Sequence, residues 1–141
     1  MKPIRTLVIA AIFPVVTAAA ALAAMSPARQ AIFDEYLSAA RTVEARFEAS
    51  TVRGEQFFRG QHTGGKGDTP SCTSCHTSDL KKPGKSRAGK DIEPMAASVN
   101  PKRYTDAADV AKWLKRNCSD VLGRECTAPE KADVLAYLLS L

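Results

Sequence analysis

Residues 72–76 read Cys72, Thr73, Ser74, Cys75, His76, a C-x-x-C-H run, which is the attachment signal for c-type haem. Positions i, i+3 and i+4 of a helical turn share one face, so two thiols can add to the two haem vinyl groups while the adjacent imidazole reaches the iron. Cys72 and Cys75 are therefore the candidate thioether residues and His76 the candidate proximal ligand. Two other uses of the same residues compete. A thioredoxin-like redox pair wants a βαβ context that the chain does not offer, and a zinc site would need Cys118 and Cys126 as further donors.

The chain has 141 residues, enough for one compact domain and too few for two. With 45% hydrophobic and 25% charged residues it is neither collagen-like, coiled-coil nor wholly disordered. An aromatic share of 6% with a single Trp leaves it poorly equipped to stack single-stranded nucleic acid.

The first segment carries Lys2 and Arg5, then an apolar run from Leu7 to Ala24 with Pro14 inside it. A basic start, an apolar middle and an A-x-A pattern at Ala21 and Ala23 read as a secretory signal over residues 1–23, with the run at the short edge for a spanning helix. Residues 24–141 are then the exported domain. Export to the periplasm places four cysteines in an oxidising compartment, where they form disulfides or are consumed in covalent chemistry.

Along that domain, Ile32, Phe33, Tyr36, Leu37, Ala40, Val43 and Phe47 follow a helical rhythm from Ala28 to Phe47. A second helical run holds Val52, Phe57 and Phe58, with Gly54 permitting close approach of another helix. Gly60 to Ser71 is a Gly-rich loop, a short helix surrounds His76, and Asp79 to Tyr104 is a long wrapping loop with Pro83, Gly84, Gly89, Pro94 and Pro101. Such a loop can fold over a macrocycle instead of building its own core. Helix resumes after Thr105, a good N-cap, with Val110, Trp113, Leu114 and Asn117 on one face. The last helix opens on a capping box, Thr127 with Glu130, and carries Val134, Leu135, Tyr137, Leu138 and Leu141. With no strand pattern of any length, the expected fold is all-α.

The sixth iron position separates an electron carrier from a gas binder. Met95, after Pro94 in the wrapping loop, is either a thioether ligand or a filler of an irregular apolar gap. His62 reads as a surface or propionate-side residue. Asn117 is either a helix C-cap or an iron ligand. Beside it, Cys118 and Cys126 enclose seven residues, a spacing that suits a local disulfide better than a metal site.

The runs Thr63, Gly64, Gly65, Lys66, then Asp68, Thr69, Pro70, Ser71, Cys72, then Arg87, Ala88, Gly89, Lys90 and Ile92, then Lys112 to Cys118 and Gly123 to Thr127 with Glu130 to Asp133, closely resemble the sphaeroides haem protein (SHP) group of monohaem cytochromes c. The resemblance runs from about Ala28 to the end. It implies a class I cytochrome c fold with helices and long loops wrapped around one covalent haem c. It further implies Asn117 as distal ligand of the ferric iron, a Cys118–Cys126 disulfide beside it, and binding of oxygen or nitric oxide after reduction. A carboxamide oxygen is a hard, weak donor that suits ferric iron better than ferrous, so reduction would open the site.

Between Asp79 and Arg103 the chain carries Lys81, Lys82, Lys85, Arg87, Lys90, Lys102 and Arg103 against Asp79, Asp91 and Glu93. This stretch is either a basic face that steers an acidic redox partner, such as another cytochrome, or a solvated lysine-rich loop. Arg87 and Lys90 are alternatively neutralisers of the haem propionates. The expected function is electron transfer with redox-gated binding of a diatomic ligand. The alternatives are a haem enzyme or sensor that turns over a small ligand, and a plain Met95-ligated carrier.

Overall fold

The computed structural model describes residues 25–141, so the expected signal segment at 1–23 lies outside the described residues. Helix α1 spans Pro27–Val43. Ser26 caps it by accepting the Arg29 amide, and Pro27 sits at the first helical position, where no N–H is needed. The helix stops four residues earlier than its rhythm suggests, because Glu44 turns to an extended conformation. Phe47 nevertheless packs inward, against Ala40 and Ala132, and its carbonyl accepts from Arg41 Nε at 3.2 Å. Its apolar side chain obeys the core and not the helix.

Helix α2 spans Thr51–Arg59 and the last helix, α5, spans Ala128–Leu139. Helix α5 packs against both α1 and α2 and forms the spine of the domain. Gly54 lies at the α2–α5 crossing, where a Cβ would run into the Asp133 carbonyl. The buried Asp133 carboxylate accepts from the Ser50 amide at 2.7 Å and from Arg53 at 2.7 and 2.9 Å, so its charge is paired as well as hydrogen-bonded. Val134, Tyr137 and Leu138 of α5 join Phe58, Leu80 and Met95 in one apolar cluster, while Leu135 joins Ile32 and Val110 in another.

The short helix α3 is Thr73–His76 and α4 is Ala107–Leu122. Asp106 caps α4 in place of the expected Thr105, accepting the Asp109 amide at 2.9 Å. The helix does not end near Asn117: it continues to Leu122 and stops where Gly123 adopts the left-handed conformation at φ 68°. The C-cap reading of Asn117 is thereby removed. Trp113, expected on the apolar face, is 42% exposed.

The wrapping loop contains two strands that period-2 alternation could not reveal, β1 at Gly84–Lys85 and β2 at Asp91–Ile92, paired antiparallel. The remainder is held by backbone bonds, such as those from the Met95 and Ala96 amides to the Leu80 carbonyl at 2.9 Å, and by side chains. Arg29 of α1 donates to the carbonyls of Ala97, Asn100, Pro101 and Arg103 at 2.9–3.4 Å. The Tyr104 hydroxyl donates to the Met95 carbonyl at 2.8 Å. Among the described residues no helix is long and apolar enough to cross a membrane. The domain is mostly helical, as its patterning implied.

Candidate functional site

Helix α3 is one turn long, and its neighbours fix it. The Ser71 hydroxyl donates to the Phe58 carbonyl at 3.2 Å and accepts from the Thr73 amide at 3.3 Å, which ties the start of α3 to the end of α2. On the other side Gly84 abuts the Cys75 carbonyl and the His76 Cα so closely that no Cβ fits between them. Cys72, Cys75 and His76 thereby present one face to an elongated cavity.

That space is formed by two adjoining cavities, the larger about 710 Å³, within the range of cofactor sites. Cys72, His76, Met95, Trp113 and Asn117 line both. His76 comes from α3 and Asn117 from α4, so two of the expected ligands and the competing Met95 share one space. His62 lies elsewhere: its Nε2 is 2.8 Å from the Phe57 carbonyl and its ring packs on Phe57 at 4.8 Å. It forms part of the fold's packing and lines neither cavity.

The electrostatics suit a neutral axial imidazole. Burial, with Arg103 adding repulsion, pushes the His76 imidazole down to about 4, which keeps the lone-pair form at neutral pH. Its Nδ1 is buried without a hydrogen-bond partner. Burial pushes the Cys72 thiol up to about 11, the reverse of what a redox-active thiolate pair requires. Cys118 and Cys126 are bonded to each other, with Cα atoms 5.5 Å apart, and so are not donors to a site with Cys72 and Cys75. Two unbonded thiols and a buried neutral imidazole on one helical turn, facing a large cavity that adjoins a smaller, mainly apolar one, fit a covalently attached haem. A haem held by Cys72, Cys75 and His76 would supply a redox-active iron able to take a small ligand.

Cations outnumber acids around the larger cavity, Lys66, Arg87, Lys90, Arg103 and Arg116 against Asp91, Glu93 and Asp120, with Lys66 paired to Asp120. Arg87 is paired with Asp68 at 2.6 Å, and Arg103 donates to the Pro94 and Glu93 carbonyls at 3.0 and 2.6 Å. Lys82 and Lys85 pair with Asp79 and Asp91. Lys82, Lys85 and Arg103 of the basic stretch are thus engaged within the loop itself, and Arg87 with the neighbouring Gly-rich loop. Lys66 and Arg116 are rim residues that sequence reasoning missed. No local pattern marks them, since they arrive from the Gly-rich loop and from α4.

Comparison with known proteins places this geometry. Residues 44–138 match a family described as a domain of unknown function, DUF1924. The chain is 54% identical over 90 residues to the cytochrome c-type protein SHP of Cereibacter sphaeroides, covering 64% of this chain and 70% of that protein. It is 35% identical over 139 residues to cytochrome c'' of Methylophilus methylotrophus, covering 97% and 94%. Among solved structures, oxidised SHP, described as an oxygen-binding cytochrome c, superposes with a TM-score of 0.71 at 47% identity, over 78% of this chain and 94% of that one. Oxidised cytochrome c'' superposes with a TM-score of 0.67 at 34% identity, over 79% and 93%. The shared all-α fold and the extent of identity agree with the attachment motif that opened the reading: the chain belongs to the family of c-type cytochromes that includes SHP and cytochrome c'', and its cofactor is covalent haem c.

Proposed function

We propose that this protein is an exported, periplasmic monohaem cytochrome that transfers electrons and, once reduced, binds a diatomic ligand such as oxygen or nitric oxide. Cys72 and Cys75 hold the haem, His76 is the proximal ligand and Asn117 the distal ligand of the ferric iron. The observation that carries the reading is that His76 and Asn117 line one cavity from two different helices. Helix α4 is fixed beside Asn117 by the Cys118–Cys126 disulfide, so release of the carboxamide on reduction is a side-chain rotation within a fixed frame. SHP is described as oxygen-binding, which supports oxygen as the ligand. Residues 1–23 act as the export signal. An acidic redox protein docks on the basic loop through the lysines that the loop's acids do not neutralise, Lys81, Lys90 and Lys102 among them.

Absorption spectra of the mature protein test this, recorded ferric and then anaerobically reduced with and without carbon monoxide. The expected result is a low-spin ferric form without the methionine-sulfur band that becomes high-spin on reduction and binds carbon monoxide. Met95 lines the same cavity and is buried. A sulfur band with a low-spin, carbon-monoxide-resistant ferrous form would assign the iron to Met95 and make the protein a simple carrier.

A further inference from the structure

A row of three rings leads away from the proposed proximal ligand. The Phe58 ring centroid lies 6.0 Å from that of His76 and 5.9 Å from that of Tyr137, both within the spacing of interacting aromatic pairs. All three side chains are buried. At the far end, the Tyr137 hydroxyl accepts from Arg59 Nη2 at 2.9 Å, and the same guanidinium donates through Nε to Glu55 at 2.8 Å. A phenol and a carboxylate are therefore held on one guanidinium, in a place the proposed ligand binding does not use.

We propose that Tyr137 is a one-electron donor to the haem by way of Phe58 and His76, so that the reduced protein disposes of hydrogen peroxide in one two-electron step. The surroundings of the other candidate rings favour this choice. A tyrosine gives up an electron readily only if its proton has a base to go to. The Tyr104 hydroxyl donates to a backbone carbonyl, that of Met95, which is a very weak base. Trp113 lines the cavity, yet the Arg116 guanidinium stands 5.5 Å from its ring centroid and opposes removal of an electron, while Lys112 Nζ, at 4.9 Å, is paired with Asp109. Arg59 also lies near the Tyr137 ring, but its charge is paired with Glu55.

The step balances. The O–O bond of hydrogen peroxide breaks, takes up two electrons and two solvent protons, and gives two waters. One electron comes from the ferrous iron, which becomes ferric. The other comes from Tyr137, whose phenolic proton passes to the Glu55 carboxylate, leaving a neutral phenoxyl radical. Burial of the ring prevents coupling between two such radicals on different molecules.

The inference rests on the open ferrous site proposed above, so carbon monoxide binding is measured on the same samples. Reduced holoprotein is mixed anaerobically with limiting hydrogen peroxide, the haem oxidised is read by absorbance, and the radical by freeze-quench electron paramagnetic resonance. The expected result is a tyrosyl signal with about one haem oxidised per peroxide, and about twice that ratio, without the signal, in Tyr137→Phe. Glu55→Gln shifts the ratio in the same direction with haem attachment unchanged, and carries the test should Tyr137→Phe not fold. Tyr104→Phe leaves signal and ratio as in the parent. A carbon-monoxide-binding protein whose signal survives in Tyr137→Phe, or vanishes instead in Tyr104→Phe or Trp113→Phe, overturns the role of Tyr137 alone. Failure to bind carbon monoxide overturns the open site and this inference with it.

Discussion

The Lys66 amide donates to the Asp120 carbonyl at 2.8 Å, joining the Gly-rich loop to α4 one turn beyond Asn117. Around this bond Gly65 lies against the Asp120 and Val121 carbonyls and Gly64 against that of Leu122, with no room for a side chain. Thr69 adds a second link, its hydroxyl donating to the Asp120 carbonyl at 3.1 Å. Gly65→Ala is therefore expected to lower stability by about 1–3 kcal/mol through forced displacement of packed backbone. Denaturant titration checks the loss, and a changed ferric spin state in the same variant would show that the loop sets the height of Asn117.

Asn117→Ala is expected to leave haem attachment intact and, on the proposed ligation, to convert the ferric spectrum to a high-spin or water-bound form, because Cys72, Cys75 and His76 lie at α3 and not on α4. Met95→Leu, which keeps the volume of the wall, is expected to leave the ferric spectrum unchanged. Mass spectrometry for attachment and absorbance for spin state distinguish the two variants.

Replacing both Cys118 and Cys126 with Ala opens a loop with a sequence separation of 8. The expected cost is about 2.5 kcal/mol on the chain-entropy description of a short closed loop. Calorimetry of the double variant measures it. Faster carbon monoxide association in the reduced state would show that the bridge also restrains the distal side.

The Arg124 guanidinium, bonded to both oxygens of Glu130 at 2.7 and 2.8 Å, holds that carboxyl below its ordinary 4.5, and the Thr127 amide adds to the effect. A carboxyl lowered in the folded state adds stability that is complete above the unfolded value and disappears as pH falls through the folded one. Glu130→Gln is expected to cost less than about 1 kcal/mol at pH 7, since Arg124 is half exposed. Its stability curve should converge on that of the parent below pH 4.5, as thermal melts across pH would show.

What the residues alone disclose depends on how local the cause is. Cys72, Cys75 and His76 fall within one turn, and Thr127 with Glu130 within another, so both were legible and the capping box is present as expected. Where α4 ends was not, because the stop is set by the left-handed Gly123, six residues after an asparagine that looks like a cap. The choice between Asp106 and Thr105 turned on which side chain faced the free amides, and periodicity is silent on that. Two-residue strands leave no alternation to count, and Phe47 kept the helical rhythm although the helix had ended. Arg87, Lys90 and Arg103 of the cavity lining were legible as part of one basic stretch, whereas Lys66 and Arg116 were not, because they join it from segments far apart in sequence.

The grip of Arg29 on the loop carbonyls, finally, bears on the order of assembly. Those bonds join residues 68 to 74 positions apart, whereas the attachment motif closes within five. Contacts so distant in sequence form late, after the entropy of a long loop has been surrendered, while a single turn forms at once. A chain still unfolded at both ends can thus receive its haem at Cys72 and Cys75 and shut the outer wall afterwards. The first helix, which grips the loop through Arg29, would then be the latch on a completed holoprotein.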